Sequence, residues 1–355
     1  MAYDPELLGD GARQYGRDGN HLSTNEYMTA EELGIQNHLC LLPYGEETEN
    51  GITNWTAEDL MPYQTYLVNG EPVDSMFGGL IFNPISGRKN HFLYPMYADF
   101  GVLPAKQDWK LALKRLFMDE YNLDAAASNT ADGKKTDIWV TIPYPNLTQT
   151  KFGFLKGKWI NFKTEEHRFL AMTWWIDQFL KKWKKFDRLH EKLTFQGFVW
   201  PRASVDGRDE SLVRKVNAYI RIKGLLSLWL QQYGSAGCVE WRKFGFDATC
   251  THPNFYGTAG PDYKWIVHST IFAKYYHIGM QITFGKGHLY KENHLFDYLN
   301  YGVHNEYMNK SLLVFQFPNQ TMRDIYENHP NEYACLYSFI KKDYEPIYPT
   351  AAFPS

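Results

Sequence analysis

The stretch Thr194-Phe195-Gln196-Gly197-Phe198-Val199-Trp200 is followed, after the helical pattern Leu212–Ile222, by Leu225-Leu226-Ser227-Leu228-Trp229-Leu230, and this succession decides the fold. Both apolar runs are short and continuous, without strict alternation, which suits a strand covered on both faces. A strand, a helix and a second such strand read as one parallel crossover unit. Outward from it the same alternation continues. Further strands are expected at His38–Leu42, Met76–Phe82, Asp137–Ile142, Ala248–Thr251, Gly279–Phe284 and Leu312–Phe317. Helices are expected at Asp108–Tyr121, Glu165–Leu189, Tyr263–His277 and His294–Asn309, with a closing helix over Thr321–Lys342 interrupted at Pro330. Eight such strands favour a closed (β/α)8 barrel of the TIM type over an open sheet. The expected partition is an irregular N-terminal arm over 1–36, one barrel domain over 37–343 and an extended, proline-containing tail over 344–355.

A chain of 355 residues suits a barrel of this type and holds an ample core. Its 11 Trp and 25 Tyr suit a large aromatic core, flat ligands or partner surfaces. Net charge is −3, so nothing argues for nucleic acid as the main partner. The run Lys181–Arg188 reads as a solvated outer helix face. The four cysteines, Cys40, Cys238, Cys250 and Cys335, form no C-x-x-C pair, and no nucleotide-binding glycine motif is present. Neither metal nor cofactor is expected. No apolar stretch is long enough to span a bilayer, and no signal peptide is visible at Met1–Asn20.

In a parallel barrel, chemistry sits on the loops leaving the carboxyl ends of the strands. Those loops supply Tyr44, Tyr144, Trp200, Arg202, His252, Asn254 and Gln281 as candidate ligand-binding residues. Amides and phenols both donate and accept hydrogen bonds, which suits hydroxyl-rich ligands, and aromatic faces cover the apolar side of a sugar ring. Turn chemistry explains many of the same Pro and Asn residues equally well. Arg202 with His252 fits a ligand carboxylate, or an internal ion pair of Arg202 with Asp206 or Asp247. Acids are scarce: only Glu46, Glu47 and Asp206 closely follow strand ends, and Asp247 precedes the sixth strand. Glycosidases ordinarily place two carboxyl groups on either side of one bond, and no such pair stands out.

The run Trp241-Arg-Lys-Phe-Gly-Phe-Asp247 and the following His252-Pro-Asn-Phe255 resemble the Trp…Gly-Phe-Asp…Gln-Pro-Asn stretch of a bacterial family, domain of unknown function 4855. Ile142-Pro-Tyr-Pro145, Gly197-Phe-Val-Trp200 and Gly279-Met-Gln-Ile-Thr-Phe284 match in the same order, so the resemblance covers most of the chain. It implies a barrel like those of the TIM-barrel glycoside hydrolases, from polysaccharide-handling bacteria, at an extracellular, cell-surface or virion location. The departures fall on acids. Pro201-Arg202-Ala203 follows the fourth strand where the family pattern has an acid. Gln281, Thr283 and Gly285 occupy the acidic places of the seventh strand. Gly78 stands for an aspartate, and His252 for the glutamine. Asp247 alone survives among the alignable acids. Gln and Thr do not exchange protons near neutral pH.

Two functions follow as expectations. One is a carbohydrate-binding, glycoside-hydrolase-like barrel that is catalytically degenerate; an active form would use Asp247 with Glu46, Glu47 or Asp206. The other is a structural or adhesive component of a surface or virion assembly, contacting other subunits through its arm and tail. The first takes a polysaccharide or glycan as its partner.

Overall fold

A computed structural model describes residues 25–45, 47–48, 51–257, 263–291 and 294–347. Eight parallel strands close into a barrel in sequence order. They are β1 Leu39–Tyr44, β2 Gly79–Pro84, β3 Thr136–Thr141, β4 Leu193–Trp200, β5 Leu226–Gln232, β6 Ala248–His252, β7 Gly279–Thr283 and β8 Leu313–Gln316. Every strand read from the apolar runs is present within a few residues.

The outer layer comprises α1 Ala57–Gln64, α2 Lys106–Leu116, α3 Leu123–Asn129, α4 Glu165–Trp183, α5 Glu210–Ile222, α6 Tyr263–Tyr276, α7 His294–His304, α8 Met322–Asn328 and α9 Pro330–Ile340. Helix α1 begins in a capping box, Thr56 with Asp59, and α8 in another, Thr321 with Asp324. Pro330 starts α9, so the interruption expected inside the closing helix is the boundary between two helices. The connection from β5 to β6 carries no helix. Its Phe244 and Phe246 cover Trp229 instead, with Phe246 stacked on the indole at 5.1 Å.

Strand registers and the two-residue alternation of side chains separate lumen from outer wall. Tyr44, Phe82, Val140, Phe198 and Trp229 face the helices, whereas Leu41, Ile81, Trp139, Val199 and Leu228 face the lumen. Trp139 is fully buried there. Its β4 neighbour is Gly197, where a Cβ would stand 1.8 Å from the Leu226 carbonyl oxygen. Only glycine lets β4 and β5 approach this closely beside the indole.

A bulge between Phe195 and Gly197 turns Gln196 toward Asp137, and its Nε2 donates to Oδ1 at 2.9 Å. The other oxygen of Asp137 accepts the Gln36 N–H at 2.7 Å. Beside it, Asn37 bonds the Leu313 N–H and the Ser311 carbonyl. The segment before β1 therefore closes the amino-terminal end of the barrel. It includes a capped helical turn, Ala30–Leu33, within the arm expected to be irregular; residues 1–24 lie outside the described residues. After α9 the chain returns to α7, where Tyr344 Oη and the Ile347 N–H share the Asn300 side-chain oxygen. Residues 348–355 of the expected tail also lie outside the described residues.

Candidate functional site at the barrel mouth

The carboxyl ends of the strands form the open end. Register and alternation direct Pro43, Asn83, Thr141, Gln232, His252, Thr283 and Gln316 toward it from seven strands. All are uncharged residue types except histidine, and His252 is held neutral. Its Nδ1 accepts the Asn254 N–H at 2.9 Å, so Nε2 carries the proton and donates to Thr283 Oγ1 at 2.7 Å. Burial pushes its pKa down to about 4.

Beneath this ring, Gln281 Nε2 donates to the carbonyls of Gln231 and Cys250 at 2.9 and 2.6 Å, and its oxygen accepts from Gln316 Nε2. Every hydrogen-bonding direction of the Gln281 amide except one lone pair is thus used internally. Gln281 is a positioning residue that fixes Gln316. By contrast, Asn83 and Gln232 have no side-chain hydrogen bond among the described residues. The buried Thr141 hydroxyl and Trp139 Nε1 have no partner either. A buried polar atom without a partner costs free energy unless water or a ligand completes it.

An ionic cluster flanks the mouth between β3 and β4. Asp209, at the start of α5, is fully buried and accepts from Arg168 Nη2 at 2.5 Å and Arg202 Nη1 at 2.6 Å. Tyr144 Oη donates to Asp209 at 3.1 Å and accepts from Arg168. Burial, with Asp209 beside it, pushes the Tyr144 phenol upward. Asp206 lies outside this core. Arg208 grips it at 2.6 Å, with Arg202 at 3.4 Å, and holds its carboxyl far below the usual range.

The expected site residues divide accordingly. His252, Asn254 and Gln281 do converge beneath or beside the opening, with Asn254 tied by its Nδ2 to the Tyr233 carbonyl at 3.0 Å. Tyr144, Arg202 and Asp206 form the flanking cluster, and Arg202 takes the internal ion-pair alternative. Tyr44 is corrected: it points away from the lumen and its hydroxyl meets the Ala112 carbonyl of α2 at 3.4 Å. Trp200 also faces outward, edge-on to Tyr144 with ring centroids 6.5 Å apart. Asp247 stands at the amino-terminal end of β6, opposite the mouth. There it binds Arg221 at 2.8 Å and both the N–H and the hydroxyl of Ser227. No Asp247–Asp206 couple forms across the mouth. Glu47 belongs to a two-residue ribbon strand paired with Ile52 just after β1. Glu46 lies outside the described residues.

Sequence reasoning passed over Arg168 and Asp209, the core of the cluster. Their signal was legible: Arg168, Met172, Trp175 and Phe179 share one helical stripe, and three of the four are core apolar residues. An arginine on such a stripe requires a buried acid. Among the described residues no group of three His, Cys, Asp or Glu side chains is placed to hold a metal ion. No helix among them is long and apolar enough to cross a membrane.

No curated protein matches the chain by sequence. Similar solved structures include two mutant forms of the tryptophan synthase alpha-subunit from the hyperthermophile Pyrococcus furiosus. They are 10% and 9% identical, with TM-scores of 0.39 and 0.41, over 87% of this chain and 98% of theirs. A chain of the Pyrococcus furiosus tryptophan synthase a2b2 complex is similar at 10% identity and TM-score 0.38, with the same coverage. These likenesses carry no argument about chemistry, and the barrel rests on its own strand pairing. The family model described as Domain of unknown function (DUF4855) matches residues 38–341, and the chain belongs to that family.

Proposed function

We propose that this protein is a carbohydrate-binding, glycoside-hydrolase-like barrel that holds a glycan at its mouth without cleaving it. One observation carries the reading. Among the described residues, the inward-facing strand ends at the open end present amides and hydroxyls, several without internal partners, and no carboxylate. Asn83 and Gln232 each offer a donor and an acceptor, and Thr141 adds a hydroxyl, a set suited to sugar hydroxyls. The acids of the flanking cluster support degeneracy. Asp209 is buried beneath two arginines, and Arg208 holds the Asp206 carboxyl far below the usual range, so Asp206 has no proton to give a leaving oxygen near neutral pH.

Calorimetric titration with neutral oligosaccharides tests the binding. Asn83→Leu and Thr141→Val are expected to weaken it at least about ten-fold each, the loss of one or two ligand hydrogen bonds. Their unfolding midpoints should stay close to wild type, because neither residue has an internal side-chain partner to lose. Unchanged affinity in both variants would remove the mouth from the binding account. A structural or adhesive component of an assembly would bind no oligosaccharide in this titration.

A further inference from the structure

After β3 the chain forms a ribbon on the mouth side of the barrel, Gly153–Leu155 paired antiparallel with Lys158–Ile160. Lys156 and Gly157 form its two-residue turn, both with positive φ, as a tight hairpin of this kind requires. One face of the ribbon is anchored, since Leu155 and Ile160 are buried in the core. The other is bare. Phe154 and Trp159 are a cross-strand pair with rings 5.7 Å apart, 50% and 76% exposed. Lys106 Nζ, at the start of α2, donates to the Phe154 carbonyl and ties the ribbon to the barrel.

Large aromatics left in water beside a rigid turn mark a binding surface. Charge narrows the partner. From Lys151 to Lys163 the chain carries Lys151, Lys156, Lys158 and Lys163 and no acid. Among the described residues, the one ion pair of these lysines is Lys158 with Glu166 at 3.3 Å, and both side chains are largely exposed. The tip itself is Lys156-Gly157, with the rings along the sides. A ribbon built to dip into a bilayer would carry its rings at the tip. Rings along a flat side, with Lys156 at the tip and the exposed Lys158 next to Trp159 in the chain, suit a ligand of alternating flat faces and anionic groups.

We infer that the Phe154–Trp159 face docks an acidic polysaccharide whose sugar rings stack on the two aromatics while their carboxylates meet the lysines. This goes beyond the mouth reading and does not depend on it: the ribbon is a separate surface, and a mouth that binds nothing leaves the inference standing.

The test is affinity electrophoresis of the whole chain in gels containing polygalacturonate or alginate, with neutral mannan as a control. It is paired with co-sedimentation on phosphatidylglycerol–phosphatidylcholine vesicles. Wild type should be retarded by at least one uronate polymer, less so at high salt, and more strongly than by mannan. Phe154→Ala with Trp159→Ala, and separately Lys156→Gln with Lys158→Gln, should each weaken that retention at least ten-fold. Lys184→Gln with Lys185→Gln, an exposed lysine pair just past α4 that belongs to neither surface, should leave it unchanged. All four ribbon positions are exposed, so unchanged circular dichroism is expected and serves as the folding check. The inference is overturned if neither uronate polymer retards the wild type, if the variants are retarded equally, if mannan is held as strongly, or if only vesicles are bound.

Discussion

Replacing Asp209 by alanine is expected to lower the stability of the barrel by about 3–5 kcal/mol, the usual cost of leaving a buried charge without its partner. Arg168 is 1% exposed, so its guanidinium cannot recover hydration when the carboxylate is gone. Tyr144 loses its acceptor in the same step, and Arg202 its shorter ion pair. Asp206→Ala is the comparison. That carboxylate is 26% exposed and its main partner, Arg208, is 65% exposed, so the loss should stay within about 1 kcal/mol. Urea unfolding of the two variants beside wild type reads the difference. Equal shifts would mean that the cluster is not the keystone joining β3, α4 and α5.

A second large effect is expected from pH. His252 has its pKa pushed down by burial to about 4, against about 6.5 in an unfolded chain. The unfolded state therefore takes up the proton first as pH falls. The stability that neutral His252 contributes is fully present above about pH 6.5 and is lost progressively toward pH 4. The loss amounts to roughly 3 kcal/mol at pH 4. His38, at the opposite end of the barrel, is pushed down to about 3 by burial and by Lys342 and Lys341, and adds a slope of the same sign. His252→Gln separates the two. Denaturation at pH 7 and pH 4 should show the variant losing roughly 3 kcal/mol less than wild type over that interval, with the His38 contribution common to both. Parallel losses would show that His252 is solvated in the native state.

The barrel was legible because its eight strands are continuous apolar runs between helical patterns, and that signal survives without any knowledge of pairing. The site was legible only in part. Position after a strand end marks a residue as near the mouth, but the face it takes depends on register, which local sequence leaves open. Tyr44 and Trp200 are end residues that alternation turns outward. Asn83, Thr141, Gln232 and Gln316 are end residues that it turns inward, and their one-letter context looks like ordinary turn chemistry. Asp247 sits in a stretch that carries the family resemblance, yet it precedes its strand, and in a parallel barrel that places it at the opposite end. The missing crossover helix between β5 and β6 was equally quiet in sequence, because Phe244 and Phe246 supply the covering that a helix would give.

The mouth proposed here binds a glycan and lacks the means to cut it. Reducing-end release from a polysaccharide panel tests it most directly, measured for wild type, Asp206→Asn and Asp247→Asn. No release above buffer is expected from any of the three. Release by wild type that disappears in Asp206→Asn or Asp247→Asn would contradict it and restore a hydrolase.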